Sequence, residues 1–93
     1  MMDRLGSEVS PGDLLLSSRG LLYEAQATDL SVTVRGFVIR ALILNNRLRP
    51  RSPNDPVYVA NRDVVKINAR EAGLVAQGSP AARIGAWNVK VGR

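Results

Sequence analysis

The chain has 93 residues, enough for one small domain that buries about 60–65% of its unfolded surface. It carries 13 basic residues against 8 acidic ones, a net charge of +5, with neither cysteine nor histidine. Those absences exclude disulfide staples, thiolate metal sites and the commonest neutral-pH acid–base, so a domain this small is expected to gain stability from oligomerisation or from docking into a larger assembly.

The opening MMDRLGSEVSPGD is polar, carries charges of both signs and lacks the apolar core of a signal peptide. It shows no periodicity and ends in the turn signal Pro11-Gly12-Asp13, so residues 1–12 read as a loose N-terminal arm. The strongly apolar run Phe37–Leu44 is interrupted by Arg40 and is far short of the roughly 20 residues of a membrane helix. A soluble protein with no membrane partner is expected, with the cytoplasm as its default location.

Leu14-Leu15-Leu16 and the stretch LLYEA at 21–25, separated by Ser17-Ser18-Arg19-Gly20, read as two short strands joined by a glycine-bearing turn. A helix over Leu14–Ala27 is the rival, weakened by Gly20 in its middle. The segment LSVTVRGFVIRALIL (30–44) alternates Val32 and Val34 with Ser31, Thr33 and Arg35, then changes phase at Gly36. A glycine at a phase change is what a bend or bulge requires, so the segment is either one strongly bent strand or two strands meeting near Gly36. Phe37 and Trp87 read as core.

NNRLRPRSPNDP (45–56) follows, with Arg47, Arg49 and Arg51 in alternation and Pro50, Pro53 and Pro56 beside them. The prolines stiffen a segment of this length into an extended arm, and in that conformation the three arginines project to one side. Val57–Ala60 and Val64–Ile67 then read as a hairpin across Asn61-Arg62-Asp63, with alternation continuing through Ala69. Leu74-Val75-Ala76 is a further short strand, Gly78-Ser79-Pro80 breaks the chain, and Trp87, Val89 and Val91 alternate with Asn88, Lys90 and Gly92 at the end. Short strands with regular turn signals predict an all-β fold, a small antiparallel sandwich or barrel, in a single domain over 1–93.

Catalysis finds little support. No histidine stands ready to activate a serine, and neither a P-loop nor a dinucleotide fingerprint is present. The acids at 3, 8, 13, 24, 29, 55, 63 and 71 are scattered, mostly beside turn residues, where caps and turns use them. No enzyme, no cofactor, no metal and no small-molecule substrate are expected. Of the 13 basic residues 11 are arginine, which suits carboxylate and phosphate partners alike, although a GC-rich genome produces the same bias without functional meaning. With only Tyr23, Phe37, Tyr58 and Trp87 as aromatics, platforms for single-stranded nucleic acid are scarce. Contact through Arg47, Pro50, Arg49, Arg51 and Pro53, with protein or DNA, is the candidate function of the loop; its Pro50-Arg51-Ser52-Pro53 spacing is only weakly specific for polyproline recognition.

The order of SVTVRGFV (31–38), a variable loop, PVYVANRDV (56–64), the short AGL (72–74) and RIGAWNVKV (83–91) resembles the small head–tail joining proteins of tailed bacteriophages. The resemblance covers residues 31–91 at the level of pattern. It implies a non-enzymatic virion component, a head–tail connector or capsid-associated protein, repeated around a ring and held by β-sheet and arm contacts. Its partners would be copies of itself and other proteins of the assembly, with DNA as a further candidate. A small β-barrel that regulates by binding nucleic acid is the alternative, with the cytoplasm as its setting.

Overall fold

A computed structural model gives the fold and describes residues 1–28, 32–34, 36–78, 82–84 and 87–89, the last two stretches as backbone alone. The expected all-β character is present: the described residues form an antiparallel sheet of six strands, one short α-helix and a separate two-stranded sheet.

Strands β1 (Leu14–Ser17) and β2 (Leu22–Ala27) pair antiparallel with Leu15 opposite Tyr23. Their turn is closed by hydrogen bonds from Ser17 N to Leu21 O and from Gly20 N to Ser17 O, both 3.0 Å. Consecutive leucines suit β1 because both of its faces are covered. Leu16 packs with Leu22, Val65 and Ile67 on one face, while Leu15 packs with Tyr23, Ile39 and Val64 on the other. Leu15 and Leu16 are fully buried, each contributing about 1.5–3 kcal/mol of burial.

Two strands, rather than one bent strand, meet near Gly36. β3 (Val32–Thr33) turns back on β4 (Gly36–Ile43), with Thr33 opposite Gly36 and Val32 opposite Phe37. Gly36 holds φ +111°, and a Cβ there would lie 2.5 Å from Asn61 Oδ1. The bulge itself lies in β2, where the register on β4 shifts between Ala25 and Ala27. Phe37, read as core, is 48% exposed. Its N–H is donated to Asn61 Oδ1 at 2.9 Å, beyond the end of the strand that covers the rest of β4.

β5 (Val57–Ala60) and β6 (Val64–Ile67) do not form the expected hairpin. A 3-10 turn at Asn61–Asp63 carries the chain round a corner, so that β5 pairs with β4 and β6 with β1. The turn lacks the glycine that a tight reversal favours. The strand order is therefore β6-β1-β2-β4-β5, with β3 on β4. Nor does the alternation beyond Ile67 continue as strand: α1 (Ala69–Ala76) begins at Asn68 and takes in the expected strand at Leu74–Ala76. Asn68 Oδ1 accepts from Glu71 N at 2.8 Å and Glu71 Oε1 accepts from Asn68 N at 3.0 Å, a reciprocal capping box. Ala72 and Val75 then pack onto Leu16 and Ile67, so the helix covers one face of the sheet. β7 (Ala82–Ile84) and β8 (Trp87–Val89) pair antiparallel; the Trp87 side chain and Val91 lie outside the described residues.

Candidate interaction surface

The basic loop is folded rather than extended. Asn45 Oδ1 accepts from Arg47 N at 2.8 Å and from Arg49 N at 3.1 Å, while Asn45 N donates to Arg49 O at 2.8 Å. Leu48, at φ +60°, is directed back onto the cluster of Leu44 and Val65. A second turn is closed from Asp55 N to Ser52 O at 3.0 Å, and Arg51 N donates to Ile43 O at 2.8 Å. The physical reason is a competition that the prolines do not decide: an asparagine side chain able to satisfy two turn amides, with an apolar residue between the arginines, outweighs stiffening at Pro50 and Pro53. Pro50 lies in a bridge opposite Leu44, and Pro53 is exposed. Arg47, Arg49 and Arg51 are all exposed, so the loop presents three guanidinium groups on a compact, core-anchored turn.

The two ends of the sheet differ. In an antiparallel strand, alternate residues direct both N–H and C=O to the same side. At the β6 end, Leu14 and Leu16 lie opposite Ile67 and Val65, and the outward backbone groups belong to Val64 and Lys66. The N-terminal segment takes one group of each. Arg4 N donates to Val64 O at 3.0 Å, and Lys66 N donates to Asp3 Oδ2 at 2.6 Å. Residues 1–12, read as a loose arm, thus lie against the sheet. Asp3 is the reason: its carboxylate is buried, and Oδ1 also accepts from Leu5 N at 2.8 Å and Ser7 N at 2.9 Å. Val9, 2% exposed, anchors the same segment in the core.

At the β5 end the parity is fixed by three bonds. Leu44 N donates to Leu22 O, which turns the even residues of β4 toward β2. Phe37 N donates to Asn61 Oδ1, and Ile43 O accepts from Arg51 N, which turns the odd residues toward β5. The ladder between β4 and β5 therefore runs through the pairs Ile39–Val59 and Ala41–Val57, and the N–H and C=O groups of Tyr58 and Ala60 face outward. Among the described residues no backbone bond reaches those groups. Natural edges are commonly blunted by charge, proline or a bulge. Val57-Tyr58-Val59-Ala60 has none of these within it, Pro56 standing just before the strand. Tyr58 is 64% exposed.

A cleft of about 600 Å³ runs beside this edge, lined by β5, by the β1–β2 turn at Ser17–Arg19, and by Arg4, Tyr23, Ile43 and Asp63. The Tyr23 phenol is hydrogen-bonded to Ser17 and its pKa is raised, first because burial disfavours the phenolate, with Arg19 acting in the opposite sense. The phenol is therefore neutral throughout the physiological range, and it shares the cleft with the charged side chains of Arg4, Arg19 and Asp63. Gly36 adjoins the corner at Asn61, and the arginine loop leads from β4 into β5.

Sequence reasoning placed contact in Arg47, Arg49, Arg51, Pro50 and Pro53; the edge residues Tyr58 and Ala60 went unmarked. The signal for them was an uncharged run of β-formers between Pro56 and Asn61, whose edge position becomes visible only with the strand order. No protein-family model matches the chain, and neither a curated protein nor a solved structure matches it.

Proposed function

We propose that this chain is a non-enzymatic structural subunit of an oligomeric assembly, joining copies of itself and other proteins through its sheet edge and loop. The observation that carries the reading is the asymmetry of the sheet: its β6 end is closed by Asp3 and Arg4, while its β5 end presents the backbone of Tyr58 and Ala60. An uncharged open edge is a template for pairing with another chain. The bacteriophage setting, as a head–tail connector or capsid-associated protein, rests on the order of features over residues 31–91. Sedimentation velocity over a concentration series, alone and with phage portal and tail-completion proteins, tests the reading. Self-association or co-sedimentation is expected; a monomer under every condition overturns it.

A second reading is favoured by one observation, the three exposed guanidinium groups of Arg47, Arg49 and Arg51 on an anchored turn. It makes the chain a nucleic-acid-binding regulator. Filter binding over a salt series distinguishes it. Tight binding whose log–log salt slope falls by close to one unit for each arginine replaced by alanine supports this reading. Binding indifferent to those replacements refutes it.

A further inference from the structure

We infer that β5 pairs antiparallel with β5 of a second copy about a two-fold axis through Tyr58. The inference rests on the assembly reading above and names its contact. Its basis is the hydrogen-bond parity of the edge. Two identical strands related by a two-fold axis form a bonded ladder only when the residues that face each other both direct their backbone groups outward. On β5 those are Tyr58 and Ala60, so an axis falling between Tyr58 and Val59 is excluded, and the axis passes through Tyr58 or through Val59.

Cross-strand side-chain pairs separate these two registers. With the axis at Val59, the Tyr58 ring faces only the methyl of Ala60, and Val57 falls opposite the 3-10 turn at Asn61. With the axis at Tyr58, aromatic meets aromatic and β-branched meets β-branched, pairs that stabilise facing strands. Tyr58 then faces Tyr58, and Val57 faces Val59. Ala60 N–H meets the carbonyl of Pro56; the reverse bond is absent because Pro56 has no N–H, so each outer pair of the ladder makes one hydrogen bond. Arg40 lies opposite Tyr58 across β4. The two copies of Arg40 stand three strand spacings apart, about 14 Å, beyond the screening length of about 8 Å at physiological salt.

The β6 edge is a poor competitor, because the N-terminal segment already lies along it, with Arg4 on Val64 O and Asp3 on Lys66 N. A head-to-tail arrangement of β5 on β6 is thereby disfavoured, which leaves the closed, isologous pair.

Two variants test the pairing in the full chain. Ala60→Pro removes the outward N–H alone: Ala60 has φ −75° and ψ 140°, a backbone that proline adopts, and its N–H takes no part in the β4–β5 ladder. The expected result is a monomer of wild-type thermal stability, with dimer affinity lowered at least about tenfold, because a symmetric pair loses two hydrogen bonds, one from each copy. Tyr58→Cys introduces the sole thiol of the chain. Facing Cα atoms at about 5.5 Å lie within disulfide reach, so the variant is expected to form a cross-linked dimer under mild oxidation, well above the yield from Ser52→Cys on the exposed loop. Unchanged dimerisation in Ala60→Pro, or equal cross-linking by the two cysteine variants, overturns the inference. If the protein oligomerises and Ala60→Pro leaves it unaffected, the β5 pairing fails while the assembly reading stands. A wild-type chain that stays monomeric, alone and with the phage proteins, removes both.

Discussion

Replacing Asp3 with alanine probes the closed end of the sheet. The carboxylate accepts three backbone N–H groups, from Leu5, Ser7 and Lys66, at 2.8, 2.9 and 2.6 Å. Leu5 and Ser7 are exposed, and water can replace the acceptor for their amides. The Lys66 amide lies on a strand whose neighbours Val65 and Ile67 are buried, so its loss weighs most. A hydrogen bond to a charged group is worth about 1.5–3 kcal/mol, and an abandoned buried donor costs about 1–3 kcal/mol. Together with loosening of the 3–7 turn, Asp3→Ala is expected to cost about 2–4 kcal/mol, a large part of the total stability of a small domain. Asp3→Asn, which keeps one acceptor oxygen, is expected to cost about half as much. Urea unfolding at neutral pH measures both, with the Lys66 amide followed by hydrogen exchange. A second consequence distinguishes this carboxylate from an ordinary turn former. Releasing the segment opens the outward groups of Val64 and Lys66 and creates a second free edge, so Asp3→Ala is expected to assemble into open, concentration-dependent species larger than a dimer. A loss below about 0.5 kcal/mol, on the scale of a neutral surface substitution, with Lys66 exchange unchanged, would refute the reasoning.

Three further outcomes follow from individual contacts. Gly36→Ala combines a left-handed backbone with a Cβ placed 2.5 Å from Asn61 Oδ1; thermal denaturation is expected to show a loss of about 1–3 kcal/mol, smaller when Asn61 is already alanine, and a strictly additive double mutant would contradict the contact. Asn45→Ala removes the acceptor shared by the Arg47 and Arg49 amides, so limited trypsin digestion after Arg47 and Arg51 is expected to accelerate several-fold while far-ultraviolet circular dichroism is unchanged. Equal digestion rates would show that the loop is held by something else. Tyr23 carries a raised pKa through burial, so above the ordinary tyrosine value of about 10 the unfolded chain releases this proton before the folded one does. The Tyr23 contribution to stability is thus fully present below that value and is lost as pH rises through the folded pKa. Comparison with Tyr23→Phe by urea unfolding between neutral pH and pH about 11 is expected to show the steeper alkaline decline in the wild type, and parallel curves would contradict it.

The sequence revealed the β elements where a hydrophobic period met a turn residue. Leu14–Leu16, Leu22–Ala25 and Val57–Ala60 were legible in this way, and Gly36 marked the meeting of β3 and β4. Partner choice was not legible, because alternation records which residues are buried and says nothing about which strand lies alongside. β5 and β6, close in sequence, bond to β4 and β1 instead of to each other. The helix was hidden behind the alternation of Val65, Ile67 and Ala69, although Asn68 and Glu71 carried a capping-box spacing that local reading can use. Asp3 was legible only as one of the acids that caps and turns use, and its bond to Lys66 joins residues 63 apart. The loop shows the opposite error: its prolines were conspicuous, and the single asparagine that folds it was not. Contact residues on an edge leave little trace in a sequence, since Tyr58 and Ala60 acquire their role from the hydrogen-bond parity of the neighbouring strand.

The central claim, that β5 is the open edge through which this chain meets its partner, is tested most directly by amide hydrogen exchange resolved at Val57, Tyr58, Val59, Ala60 and Lys66 at two protein concentrations. In dilute solution Val57, Val59 and Lys66 are expected to be protected, while Tyr58 and Ala60 exchange freely. At the higher concentration Tyr58 and Ala60 are expected to gain protection together as the second copy binds. Protection of Tyr58 and Ala60 in the dilute monomer would show the edge already closed; free exchange in a sample known to be oligomeric would place the contact elsewhere.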